Sequence, residues 1–443
     1  MLTSSTALYY DSQRFHLGDK VIQSDATGPP PKMSPGRVVD NASRRMRPAV
    51  RALKHRNFRL LWAGQWARAT GLWMQLVATP LLLLSIGGSA VDLGIVYALQ
   101  FGPILLLAPV GGAIADRVDR RALLMGLQGV TAAQALLMVV VITSGSVASW
   151  QIFALAAVLG VVNAAEMPTR ISLVGELVPD EDLPNAVALM MVAMNASRII
   201  GPAIAGLLVA TIGYEANFIW SFSGATLAVV LVRLIDGERT IGQTTAAEES
   251  VWRSILGAVA YIWRTPLVRT GLGLLAVFGV FGISFQTILP LYAIDMLGLD
   301  PAGYGFIVAA MGVGALSAAL PITMLGTRTA GRLMFIAPVV FACLLASLAL
   351  TTVPEVAFAL IVPLGFFFVM TNAVINVTVQ GTIAHQFRGR TMGIYVSIMH
   401  GGGALGALIM GLLASMFSVP VAMSVGAGMT AALALILLGV RPR

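Results

Sequence analysis

Arg68 and Arg198 lie inside long apolar runs, where an ionised side chain at the centre of a span costs about 2.5 to 3.5 kcal/mol on insertion scales. A charge kept at that cost is a candidate for recognising an anionic group or for balancing a titrating acid. Gln65, Arg68, Gln75 and Thr79 recur at i, i+3, i+10 and i+14, a narrow stripe on one helical face that should meet water or protein rather than lipid. Further on, Asn163, Glu166 and Arg170 share another face, with the acid four residues before the base, the order that makes a favourable helix pair. Glu166 is therefore the deepest carboxylate and the candidate for proton coupling, with a structural ion pair as the alternative. Arg170, Arg68 and Arg198 are its companions as coupling candidates. Asn195, Asn372 and Asn376 join Gln65 and Gln75 as candidates for a substrate cavity. His400 titrates near neutrality if exposed to water, or simply bonds one helix to another.

Other chemistries find little support. One cysteine, Cys343, four histidines (16, 55, 385 and 400) and no His-Glu-x-x-His string leave no visible metal cluster, disulfide framework or nucleophilic triad. No catalytic residue, metal or cofactor is expected. The lysines Lys20, Lys32 and Lys54 are followed by Val21, Met33 and His55, so none closes a nucleotide phosphate-binding loop. A solute or ion gradient is left as the driver.

These residues must be positioned by elements that live in lipid. Of 443 residues, 57% are hydrophobic and 11% charged, with a mean hydropathy of +0.86; a soluble domain carries about a quarter charged residues. Apolar runs of about twenty residues, enough to cross a hydrocarbon core, fall near 59–86, 92–115, 122–143, 150–169, 184–211, 216–235, 270–294, 303–325, 332–351, 355–378, 391–416 and 420–440. They do not alternate polar and apolar as barrel strands do. The fold class is all-α and polytopic, with about twelve spans.

The net charge of +8 does not indicate a nucleic-acid partner, because of where it sits. Apart from Arg68 and Arg198, every Lys and Arg falls in alternate connections or the tails, at residues up to 59 and at 116–121, 170–183, 233–269, 326–332, 385–390 and 441–443. The other connections carry Asp92, Glu215, Asp295, Asp300 and Glu355 without a basic residue. The positive-inside rule then puts both termini in the cytoplasm of a plasma-membrane protein and requires an even number of spans. Residues 1–57 form a cytoplasmic tail without an apolar signal region, and their composition suits disorder.

A polar linker at 236–269 divides the spans into bundles at 58–235 and 270–440. Gly201 and Gly206 before Leu-Leu in span 5 are echoed by Gly406 and Gly411 before Leu-Leu in span 11, Pro80-Leu81 by Pro290-Leu291, and Gly94 by Gly305. Such internal repetition suggests two related bundles with a site between them.

Between spans 2 and 3 the chain reads Gly111-Gly112-Ala113-Ile114-Ala115-Asp116-Arg117-Val118-Asp119-Arg120-Arg121. This resembles the signature loop of the major facilitator superfamily, Gly-x-Leu-Ala-Asp-Arg-x-Gly-Arg-Arg, at Gly112, Asp116, Arg117, Arg120 and Arg121, with Asp119 in place of the second Gly. The resemblance implies that Asp116 caps the start of span 11 across the two halves and helps hold an outward-open state, a role that suits a carboxylate facing free N–H groups. Asn195-Ala196-Ser197-Arg198-Ile199-Ile200-Gly201-Pro202-Ala203-Ile204-Ala205-Gly206 resembles the span-5 signature of the branch with siderophore exporters and multidrug efflux proteins. Ser197 and Ala205 depart from the antiporter form of that motif. Gly201, Pro202 and Gly206 are read both as a packing surface and as a functional bend.

The resemblance implies two six-helix bundles and a secondary transporter, working as a monomer, that exports a small hydrophobic or amphipathic molecule of the drug or siderophore class by proton antiport and alternating access. It also sets Trp62, Trp66, Trp73, Tyr97, Phe101, Phe281 and Phe285 on cavity-lining spans. An uptake symporter or uniporter of the same fold, and a transport-inactive sensor or scaffold, are the alternatives.

Overall fold

The computed structural model describes residues 50–115, 117–236, 251–384 and 387–439. Among them, twelve helices are long and apolar enough to cross a membrane, as a chain that must satisfy its own backbone in lipid requires. We label these α1 (Arg56–Ser85), α2 (Ala90–Ala115), α3 (Arg120–Thr143), α4 (Ser149–Leu177), α5 (Leu183–Thr211), α6 (Glu215–Arg233), α7 (Pro266–Met296), α8 (Pro301–Thr323), α9 (Thr327–Leu350), α10 (Pro354–Thr382), α11 (Arg388–Met416) and α12 (Val419–Gly439).

Local chemistry explains where these helices stop. α1, α3, α5 and α7 each end at a glycine with positive φ: Gly87 at +83°, Gly145 at +69°, Gly213 at +127° and Gly298 at +64°. That conformation closes a helix with little cost only for a residue without Cβ, and it permits the tight turns at the end of the molecule where the connections carry acids. At the opposite, basic end, Asp119 accepts from the N–H groups of Arg121 (3.0 Å) and Ala122 (3.4 Å) and so caps α3. The residue that departs from the signature loop is thus an N-cap.

Two differences from the sequence reading stand out. α4 continues to Leu177 instead of stopping near 169, and Arg170, counted above among loop cations, is a buried helical residue. Its charge is carried by Glu166 one turn earlier, so the basic residue does not mark a span end. The segment 236–269 also holds a helix, Val251–Arg264, and the first turn of α7. This linker helix docks through Tyr261, which stacks on Phe387 at 4.4 Å and accepts the Ala384 N–H at 3.0 Å.

The helices form two six-helix bundles, α1–α6 and α7–α12. They meet through α2 against α11 and α5 against α8. Glycines make these meetings close. A Cβ at Gly206 would lie 2.4 Å from the Pro301 carbonyl, and one at Gly305 would lie 2.5 Å from that of Pro202. Gly94 faces the Ala407 carbonyl at 2.7 Å and Gly411 that of Ala90 at 2.5 Å in the same sense. All four contacts lie toward the acidic end. At the basic end the first bundle is tied by ion pairs: Asp182, 1% exposed, receives Arg51, Lys54 and His55 at 2.5, 3.1 and 2.8 Å, and Arg120 pairs with Glu176.

Candidate functional site: a cavity between the bundles

A cavity of about 390 Å³ lies between the bundles, with walls from α1, α2 and α5 on one side and α7, α8, α10 and α11 on the other. Its position follows from the packing just described. A Cβ at Gly201 would lie 2.7 Å from Trp73 Cβ and 3.1 Å from the Thr70 carbonyl, so the glycine lets α5 seat on α1. Arg198, one turn earlier on α5, is thereby directed inward beside Trp73. Its guanidinium carbon stands 5.3 Å from the Trp73 ring centroid and 5.6 Å from that of Phe368 on α10. A cation held between rings of opposite bundles gains from both quadrupoles. Tyr97 and Phe101 of α2, with centroids 4.4 Å apart, and Tyr304 of α8 extend the aromatic lining.

Polar groups on this wall are few: Gln100, Gln286, Thr287, Asn372 and His400 accompany Arg198. The Asn372 amide donates to the Phe368 carbonyl at 3.1 Å. Its Oδ1, the Thr287 hydroxyl and the Trp73 indole N–H are buried without a partner in the protein. π-helical turns at Phe278–Ile283 and Tyr292–Met296 flank the stretch of α7 that carries Gln286 and Thr287. Such turns rotate the following side chains out of α-helical phase, and periodicity alone therefore did not bring these two to notice. Gln100 could have been found from Tyr97 and Phe101, which share its face.

The other polar candidates gather elsewhere. Glu166, 2% exposed, bridges Arg68 and Arg170 inside the first bundle, and Arg68 also donates to Asn163 Oδ1 at 2.8 Å. The stripes on spans 1 and 4 therefore face each other, and none of these residues is on the cavity wall. Gln65 is buried nearby along α1, and Gln75 donates to Ser221 Oγ of α6 at 2.6 Å. Asn195 is exposed and donates to the Met191 carbonyl at 2.9 Å, while Asn376 accepts from Gln380 at 2.8 Å. Of the five amides proposed for the cavity, Asn372 lines it. Trp62 donates to the Leu189 carbonyl at 2.9 Å, and Phe285 is buried in the second bundle.

Of the loop motif, Gly112 lies in α2 and Asp116 falls outside the described residues. Arg117 is exposed, Arg120 meets Glu176, and Arg121 donates to the Val232 carbonyl at 3.0 Å. Gly206 and Pro202 belong to the α5–α8 contact.

Comparison with known proteins adds to this geometry. A family model of the major facilitator type, described as transmembrane secretion effector, matches residues 48–442. The multidrug efflux pump Tap of Mycolicibacterium fortuitum is 27% identical over 369 residues, which is 80% of this chain and 88% of that protein. The staphyloferrin A transporter of Staphylococcus aureus is 24% identical, over 81% of this chain and 88% of its own length. Among solved structures, the nucleoside transporter NupG is similar with a TM-score of 0.67 at 14% identity, covering 87% of this chain and all of that one. A bacterial homologue of the lysosomal transporter Spinster, in an inward-facing and unoccupied conformation, has a TM-score of 0.66 at 11% identity, over 86% of this chain and 94% of that one. At these identities the structures speak for the fold.

Proposed function

Since this chain belongs to the major facilitator superfamily, in the family described as transmembrane secretion effector, it is a multi-pass membrane transporter, and we propose that it exports a small amphipathic molecule by proton antiport. The carrying observation is the aromatic cavity walled by both bundles, with polar groups confined to a few positions. Two bundles rocking about such a site expose it to each side in turn. The multidrug efflux pump among the relatives supports efflux, and together with the staphyloferrin A transporter it supports an amphipathic cargo.

The basic end is assigned to the cytoplasm by the positive-inside rule. The close backbone contacts at the acidic end then leave the cytoplasmic side as the side of loading, which is where an exporter takes up its cargo. For coupling, Glu166 is the one carboxylate placed well inside a span among the described residues. Its protonation would release Arg68 and Arg170 from their shared partner, giving α1 and α4 two arrangements that a proton selects between. Asp116 is retained as the gate carboxylate by resemblance.

Energised everted membrane vesicles test this reading. Addition of a transported compound should release protons from vesicles with the wild-type chain and not from those with Glu166→Gln or Asp116→Asn. Labelled solute that crosses at an unchanged rate when the pH gradient is collapsed would replace antiport by uniport. Absence of flux across a panel of lipophilic cations, antibiotics and siderophore-like anions would favour a sensor.

A further inference from the structure

We infer that the cavity selects amphipathic anions, with Arg198 as the residue that binds the acidic group of the cargo and the rings around it as the surface for the apolar part. This deepens the exporter reading and rests on it for the location of the cargo.

The charge balance of the wall points to an anion. Arg198 is a permanent cation, and among the described residues no aspartate, glutamate or lysine lines the cavity. Among the described residues, no carboxylate forms an ion pair with Arg198; its close neighbours are the rings of Trp73 and Phe368, and Tyr97 of α2 interacts with it electrostatically. Rings stabilise a guanidinium through their faces and leave its N–H edge, with five donors in a fixed fork, free to receive a carboxylate, sulfonate or phosphate. A cationic drug would meet like charge with no acid to offset it, in a site whose apolar walls strengthen the repulsion.

The neighbours extend the match. His400 lies on the same wall and adds a donor, and a positive charge when protonated. The Thr287 hydroxyl and the Trp73 indole N–H are buried without a protein partner, so both are available to a polar cargo. The apolar remainder of the wall, with Tyr97, Phe101 and Tyr304, suits an aromatic or acyl body. Arg198 also touches a ring of each bundle, so the group that binds the anion is the one whose contacts must change when the bundles rock.

The test is equilibrium binding to the purified full-length chain in lipid nanodiscs, with 2-naphthalenesulfonate, the neutral 2-naphthalenesulfonamide and the cation tetraphenylphosphonium as probes. The wild type should bind the sulfonate at least about tenfold more tightly than the sulfonamide, the scale of one charge-assisted hydrogen bond. Arg198→Gln should erase that preference and Arg198→Lys should restore part of it. Equal binding of sulfonate and sulfonamide by the wild type overturns the inference, as does tighter binding of tetraphenylphosphonium. The wild-type comparison stands even if a variant fails to fold. Vesicle export separates this from the broader reading: a chain that exports cations and ignores the sulfonate sinks anion selection alone, whereas a chain that binds the sulfonate and exports nothing sinks the exporter.

Discussion

Glu166 is buried and shared by two guanidinium groups, so its loss should be felt in the fold before it is felt in transport. Glu166→Gln leaves Arg68 and Arg170 buried side by side, and breaking a buried pair by removing one partner costs about 3 to 5 kcal/mol. Thermal unfolding of the solubilised chain should show a clear drop in Tm, and adding Arg68→Gln should recover part of it by removing one of the two stranded charges. An unchanged Tm in the single variant would mean that the triad does not hold the bundle. The double variant has a second use: it relieves the stranded charge without restoring a titratable group, so proton release that stays lost in it belongs to coupling. Asp182 offers a contrast at the surface end. Its hydrogen bond from His55, helped by Lys54 and Arg51, holds its carboxyl below the usual carboxylate range. A depressed native pKa adds stability that is complete above the unfolded value of about 3.9 and is lost as pH falls through the native one. The acid limb of the stability curve should therefore flatten in Asp182→Asn, as read by Tm between about pH 3 and pH 6. Of these residues, Glu166 and Arg170 were legible as a pair from their spacing. The role of Arg68 as second partner was not, because a stripe on one helix does not say which neighbour it meets. Gln75 fell to the same limit, its polar face turning to α6 instead of the cavity.

Spans are where the sequence was most informative, because lipid enforces length and polarity on every crossing. Helix ends are less legible for a physical reason: a charge ordinarily ends a span, but Arg170, with Glu166 as a partner one turn away, continues α4. The linker helix was missed because its apolar face is interrupted at helical spacing, which reads as a mixed segment in a hydropathy average. Glycines at the α5–α8 contact carry the next prediction. Gly206 and Gly305 face each other, with a Cβ on either falling 2.9 Å from the other's Cα, too close for any residue with a side chain. Gly305→Ala should strain this closed contact by about 1 to 3 kcal/mol and favour an arrangement in which α5 and α8 part at the acidic end. A shift of that size changes the population ratio by about fivefold to over a hundredfold. Spin labels at Ser146 and Thr352, exposed on acidic-end turns of opposite bundles, in a Cys343→Ser background should report longer distances in the Ala variant. An unchanged distance distribution would show that the contact yields locally instead of separating the bundles.

At the scale of the whole molecule, the proposed anion selection and proton antiport would together fix how transport responds to voltage. Carrying one monovalent anion out and one proton in moves two positive charges inward per cycle, each worth about 2.3 kcal/mol per 100 mV. Antiport would then sustain a gradient of roughly two thousandfold across about 100 mV at equal pH, against about fiftyfold for anion uniport. The cavity would make this a property of the chain, since Arg198 keeps its charge and no acid among the described residues of the wall stands beside it. Proteoliposomes with the basic end outward and a valinomycin-clamped, lumen-positive potential provide the measurement. In them the lumen stands for the outside of the cell, so both the anion entering and the proton leaving run with the potential. The steady-state ratio of 2-naphthalenesulfonate should climb with voltage at a slope of two charges, and Glu166→Gln combined with Arg68→Gln should reduce the slope to one while flux persists. A slope of zero in the wild type would mean that the anion's charge is balanced within each step, and antiport would have to be given up for co-movement of anion and proton.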